Sequence, residues 1–141
     1  MVSTMDFNKL FDAYKKAVFA KDVDAFMGIY GKDFVAFDMW GVWSHIGEGA
    51  WREVIHKRLT TLGSESVVVE FEDIQVVPGR DVAAASATVS YKAVSQSGEI
   101  LRSMQNRLTW VAKQTNGDWR IVHQHTSAPV SPSTLTAILH R

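Results

Sequence analysis

The side chain best placed to do chemistry is Asp38, in the stretch Phe34-Val-Ala-Phe-Asp-Met-Trp40. It ends an apolar, strand-like run, where desolvation disfavours the charged form of a carboxylate. Such a group suits general acid–base work near neutrality. The competing use of an Asp beside a turn is to cap backbone N–H groups, and Gly41 just beyond keeps that use open. His123 and His125 stand two apart in a strand-like stretch and so share a face. A His-x-His pair can seed a zinc or iron site, but a catalytic site needs a third protein ligand. His45, His56 and Asp38 are the donors on offer, and their spacing fixes none of them. The pair is therefore expected to pack at a sheet or dimer surface with Trp119 and Ile121, and no metal is assigned. Trp40, Trp43, Trp51, Trp110 and Trp119 exceed what a core of this size needs. Aromatic walls with a few polar groups suit a small, flat, partly apolar ligand, although each Trp alone serves equally well as a core or dimer contact.

The elements that must position these groups change character near residue 65. Phe7, Leu10, Phe11, Tyr14 and Val18 follow the rhythm of one helix face. Ser3 with Asp6 three residues later resembles a capping box. Asp22 caps a shorter second helix whose buried face is Val23, Phe26, Met27 and Tyr30, with Gly31 as its stop. A strand over 34–40 follows. A third helix starts near Glu48 and buries Trp51, Val54, Ile55, Leu59 and Leu62 before Gly63. From Ser66 the period becomes two, giving strands over 67–77, 82–94, 100–113 and 119–127. Pro78-Gly79, Ser97-Gly98 and Asn116-Gly117 supply the turns. Helices followed by long antiparallel strands predict an α+β fold, not βαβ units. The 141 residues suit one domain, with its core over 6–129 and a tail over 130–141. In the tail, Ser131-Pro132 predicts a short helix with Leu135, Ile138 and Leu139 on one side, folded back over the sheet or frayed.

Composition narrows the function. Lys plus Arg and Asp plus Glu are both 15, so there is no cationic excess to neutralise phosphates. Nucleic acid and polybasic membrane surfaces are disfavoured as partners, and near-zero net charge favours self-association. Cysteine is absent, which excludes disulfides, thiolate metal sites and thiol nucleophiles. No Gly-rich phosphate loop, nucleophile elbow or metal-type carboxylate array is present. Asp6 interrupts the N-terminus before an apolar run forms, and no run approaches the ~20 residues of a membrane span. A cytoplasmic protein is the expectation.

The order helix, helix, strand, helix and then antiparallel strands resembles the nuclear-transport-factor-two-like superfamily. That superfamily includes SnoaL-like polyketide cyclases, ketosteroid isomerases and the association domain of calcium/calmodulin-dependent protein kinase II. The strongest local match is Asn116-Gly-Asp-Trp-Arg-Ile-Val-His-Gln-His-Thr-Ser-Ala-Pro129. It is similar to the Gly-x-Trp-x-x-Val-His-x-His-x-Ser-x-x-Pro ending of the association domain and its bacterial SnoaL-like relatives. The resemblance implies a cone: a curved antiparallel sheet wrapped around the N-terminal helices, a pocket at the open end, and dimerisation through the sheet.

The resemblance also implies roles. Ketosteroid isomerases hold their proton-shuttling Asp at a similar strand end and an oxyanion-binding Tyr on the first helix. Asp38, and Tyr14 twenty-four residues before it, fall in those places. By itself Tyr14 reads equally as a core residue with a satisfied hydroxyl. Aligning Asn106-Arg-Leu-Thr-Trp110 on the isomerase's Asp-x-Phe-x-Phe strand puts Asn106 at the protonated Asp of the oxyanion hole. Asn donates a hydrogen bond but cannot be tuned as an acid, so such catalysis would be weaker. Met39 replaces the isomerases' Pro. Val122, Gln124 and Thr126 are implied to face the pocket. Thr126 and Trp110 stand where the association domain carries arginines, which argues against a carboxylate pocket of that type. Arg107 would enter only if its strand slipped by one, reversing every side chain. The expected protein is thus a homodimer that binds a small organic ligand without cofactor or metal. If an enzyme, it is an isomerase or cyclase using Asp38, Tyr14 and Asn106, with Trp40, Trp110, Tyr30 and Gln124 as ligand contacts. The alternative is a non-catalytic binding or oligomerisation module.

Overall fold

The computed structural model describes residues 6–141. Ser3, half of the expected capping box, lies outside them. Asp6 is itself the N-cap of α1 (Phe7–Ala20), its carboxylate accepting from Asn8 N–H at 3.0 Å. The predicted face is buried: Phe7, Leu10, Phe11, Tyr14 and Val18, with Ala17 between turns. The helix ends at Lys21 in the left-handed region, whose N–H returns to the last carbonyls while Nζ donates to the backbone oxygens of Gly63 and Glu65. One side chain thereby ties α1 to the turn after α3. The second helix, α2 (Val23–Met27), is capped by Asp22 as expected but ends at Gly28, not Gly31. Tyr30 and Gly31 already belong to β1 (Tyr30–Phe37), because Ile29 C=O accepts from Ile121 N–H and draws the chain into the sheet. Then come β2 (His45–Ile46), α3 (Glu48–Thr61), β3 (Ser66–Val77), β4 (Val82–Val94), β5 (Ile100–Thr115) and β6 (Asp118–Ser127).

The strands form one curved, unclosed sheet in the order β2-β1-β6-β5-β4-β3. Its pairs are antiparallel except β1 with β6, which run parallel, a pairing the sequence pattern does not announce. The β5–β6 connection is the two-residue Asn116-Gly117 turn with both φ positive, as the right-handed twist of a hairpin requires. At the β3–β4 turn only glycine fits: a Cβ on Gly79 would lie 1.8 Å from the Val82 carbonyl oxygen. Small residues on β4 (Ala83, Ala85, Ala87) let α1 and the aromatic core settle close to the bent sheet.

A bulge in β6 decides which residues face inward. Val111 pairs with His123 but Ala112 pairs with Ile121, so Val122 is an extra residue that inverts the alternation. Trp119 and Ile121 therefore turn toward the core, while His123 and His125 face outward. The shared face expected for all four does not exist. Gln124 and Thr126 are buried inward, with 3% and 5% exposure. On β5 there is no slip: Asn106 is inward, and Arg107 lies outside, donating to Ser127 Oγ.

The tail forms no helix. Leu135 has φ of 57°, Val130 and Ala137 bridge, and Leu139 C=O accepts from Gln105 N–H. The chain thus folds back along the part of β5 that β6 leaves open, and Arg141 reaches Glu72 and Asp73 on β3. No helix among the described residues is long and apolar enough to cross a membrane.

Candidate functional site

A cavity of about 380 Å³ opens between α1, α3 and the inner faces of β4 to β6. Asp38 reaches it from the end of β1 with only 4% of its side chain exposed. The capping reading of this residue is realised, on a side chain that also borders the cavity. Its carboxylate accepts from Trp40 N–H at 3.2 Å, capping the loop after β1, and from Thr126 Oγ1 at 3.4 Å. Its principal partner is the Arg58 guanidinium, whose Nη2 lies 2.5 Å from Oδ2. The residues following Asp38 contain no cation; α3 supplies one. The signal lies in the spacing Trp51, Ile55, Arg58, Leu62, which puts Arg58 on the apolar stripe of α3. Its guanidinium also stands 5.7 Å from the Trp51 ring centroid, within reach of a cation–π contact.

Tyr14 is buried on α1 and its hydroxyl meets that of Tyr91 at 3.2 Å; both line the cavity. Tyr91 carries no motif, and only its parity with Val89 and Ala93 on β4 marks it as inward. Asn106 completes this end of the wall. Its Nδ2 donates to the thioether of Met39 at 3.4 Å, a weak acceptor, and its buried Oδ1 has no partner. The amide is therefore largely unspent, and a ligand could engage it.

The expected aromatic contacts divide. Trp40 lines the rim, half-exposed. Tyr30 and Trp110 do not reach the cavity. They stand behind it in the core, where Trp110 stacks on Phe11 with centroids 5.0 Å apart. Both fix Gln124, whose Oε1 accepts from Tyr30 OH at 2.7 Å and Trp110 Nε1 at 2.8 Å. With its oxygen used twice, Gln124 presents only N–H donors to the cavity. Trp51 lines the wall from α3, and Trp43 is 97% exposed. On the outer face, His123 Nδ1 donates to Val35 C=O at 2.8 Å, and Phe37 packs edge-on against both imidazoles. Among the described residues no three metal-ligating side chains gather.

Burial pushes the hydroxyls of Tyr14 and Tyr30 well above the ordinary phenol range, reinforced by the nearby Tyr91. Burial also raises Tyr91, against the pull of its hydrogen bond with Tyr14. These three are all the tyrosines of the chain. All therefore stay neutral donors at physiological pH. Because the folded state resists their ionisation, stability is intact below the free-tyrosine value of about 10 and falls as pH rises through the raised values. In an alkaline titration, tyrosinate absorbance should be absent at about pH 10, where free tyrosine is half ionised, and should appear only with unfolding. A normal titration of even one tyrosine with the fold intact would contradict this burial.

The profile of the SnoaL-like domain family matches residues 7–131. No curated protein matches the chain. Among solved structures, a nuclear transport factor 2-like protein of unknown function from Pseudomonas putida is similar at 22% identity with TM-score 0.82, covering 94% of this chain and 91% of its own. A Xanthomonas campestris protein provisionally named a calcium/calmodulin-dependent protein kinase II association domain is 20% identical, with TM-score 0.69 over 86% of this chain and 84% of its own. A nuclear transport factor 2-like superfamily protein from Salmonella enterica is 18% identical, with TM-score 0.71 over 92% of this chain and 93% of its own. These likenesses are of fold. With the profile spanning nearly the whole chain, the protein belongs to the SnoaL-like family, on the nuclear-transport-factor-two-like fold.

Proposed function

We propose that the cavity binds a small, partly apolar organic molecule and that Asp38 moves a proton on it without a cofactor. The observation that carries this reading is the convergence of Asp38, Tyr14 and Asn106 on one apolar cavity from β1, α1 and β5. The cone is open inside instead of filled, which favours ligand chemistry over pure assembly. In the proposed reaction a C–H bond beside a carbonyl breaks, and its proton passes to the Asp38 carboxylate. The electron pair moves onto the carbonyl oxygen as an enolate. The neutral Tyr14–Tyr91 hydroxyl pair and the Asn106 amide N–H stabilise that oxygen, an arrangement most effective where water is excluded. Asp38 then returns the proton to another carbon. Arg58 positions the carboxylate and is a positioning residue.

A direct test is deuterium exchange of phenylacetone α-protons in heavy water, followed by proton NMR with and without protein. Catalysed exchange supports the reading. Phenylacetone binding with no acceleration would reduce the protein to a binder.

The outward face of β1 and β6, with Phe37 between His123 and His125, is the surface we propose for homodimerisation. It retains less apolar area than the four-residue face expected from sequence. Light scattering at micromolar concentration should give twice the chain mass of 15.7 kDa, and a monomer mass would remove the proposal.

A further inference from the structure

The charged side chains on the cavity wall are Asp38, Arg58 and Arg102, two cations against one anion. Arg58 and Asp38 neutralise each other. Arg102 finds its partner off the wall, its Nη2 and Nη1 donating to the two carboxylate oxygens of Glu65 at 2.7 and 3.3 Å. Glu65 is held there through its backbone, since Lys21 Nζ donates to its carbonyl oxygen at 2.8 Å. A guanidinium has five N–H donors. The Glu65 pair engages two of them and leaves three.

Arg102, Met104 and Asn106 alternate along the inner side of β5 and all line the cavity. At strand spacing this row runs ~13 Å from the 61%-exposed Arg102 at the rim to the buried Asn106 amide. Apolar walls, Leu62, Val67 and Ala93 among them, surround the rim end. A ligand matching this sequence of environments has an anionic end, an apolar body and a polar end. The anionic end belongs at Arg102, whose carboxylate partner Glu65 lies off the wall, whereas Asp38 is itself on the wall and would face the ligand with like charge.

We propose that the ligand is an amphipathic organic anion, its carboxylate or sulfonate on Arg102 and its opposite end against Tyr14, Asn106 and Asp38. This deepens the small-molecule reading above and rests on it. The arginine comes from the start of β5, not from either strand position at which the association domain carries one.

The test uses two fluorescent probes with one apolar body, anilinonaphthalene sulfonate and uncharged N-phenylnaphthylamine. The sulfonate should displace the amine from the wild-type protein. Arg102→Leu should weaken sulfonate binding about tenfold, the scale of a charge-assisted hydrogen bond discounted for rim exposure, and leave the amine unchanged. Arg102→Lys should restore part of the loss. Equal sulfonate affinity in wild type and Arg102→Leu would overturn the proposal, as would a sulfonate that binds without displacing the amine. In both cases amine binding would leave the small-molecule reading standing. Entry of neither probe would remove that reading as well.

Discussion

Asp38→Asn is expected to slow ketone proton exchange by about 10²–10⁴-fold, the scale of a positioned base, with ligand binding little changed. Asn cannot take up the proton, yet with its oxygen in the place of Oδ2 it still accepts from Trp40 N–H, while its NH2 group in the place of Oδ1 can donate to Thr126 Oγ1, so the loop after β1 keeps its cap. Arg58 loses its partner but is 40% exposed and can be hydrated, so stability should change by no more than about 1 kcal/mol. The reverse substitution is harsher. Arg58→Leu strands a carboxylate whose side chain is only 4% exposed. Orphaning one member of a fully buried pair costs about 3–5 kcal/mol, and the half-open Arg58 side lowers this to about 1–3 kcal/mol. Tyr14→Phe should reduce turnover and spare binding, by less than the about 10²–10³-fold typical of a lost oxyanion donor, because the Tyr91 hydroxyl is its neighbour. Exchange that persists undiminished in Asp38→Asn would take Asp38 out of the mechanism.

What was legible in the sequence follows from how local each signal is. The face of α1, the caps at Asp6 and Asp22, and the Asn116-Gly117 hairpin depend on neighbours within a few residues, and the pattern shows them. The order of helices and strands led to the right fold. Signals that depend on distant partners were hidden. Gly31 resembles a helix stop, yet strand β6, ninety residues away in the chain, captures this segment. The bulge at Val122 is an extra residue visible only in the pairing, and it sends Ile121 inward and His123 outward. Ser131-Pro132 is a sound helix start by local chemistry, but the unpaired part of β5 claims the tail instead. At the site, Arg58 was discoverable as a cation on an apolar stripe. Tyr91, Arg102 and the Gln124 acceptor were not, since nothing beside them in sequence reveals what they face across the sheet.

Gln124→Leu should be the most damaging of the nearly volume-conserving changes at the cavity wall. Its Oε1 is the acceptor for two buried donors, Tyr30 OH and Trp110 Nε1, in residues 2% and 0% exposed. Leucine fills most of the space and removes both partners. An orphaned buried donor costs about 1–3 kcal/mol, so the pair sums to about 2–6 kcal/mol. The two donors differ in their freedom. The Tyr30 hydroxyl can rotate in search of another acceptor, whereas the indole N–H is fixed by the stacking of Trp110 on Phe11. Most of the loss should therefore come from Trp110. Urea unfolding would show it as a lower midpoint at unchanged slope. A double-mutant cycle separates the causes. Adding Tyr30→Phe to Gln124→Leu should cost less than Tyr30→Phe alone, because it removes a donor already unpaired. A loss below about 1 kcal/mol would mean that water from the adjoining cavity reaches both donors, making this wall wetter than its burial indicates.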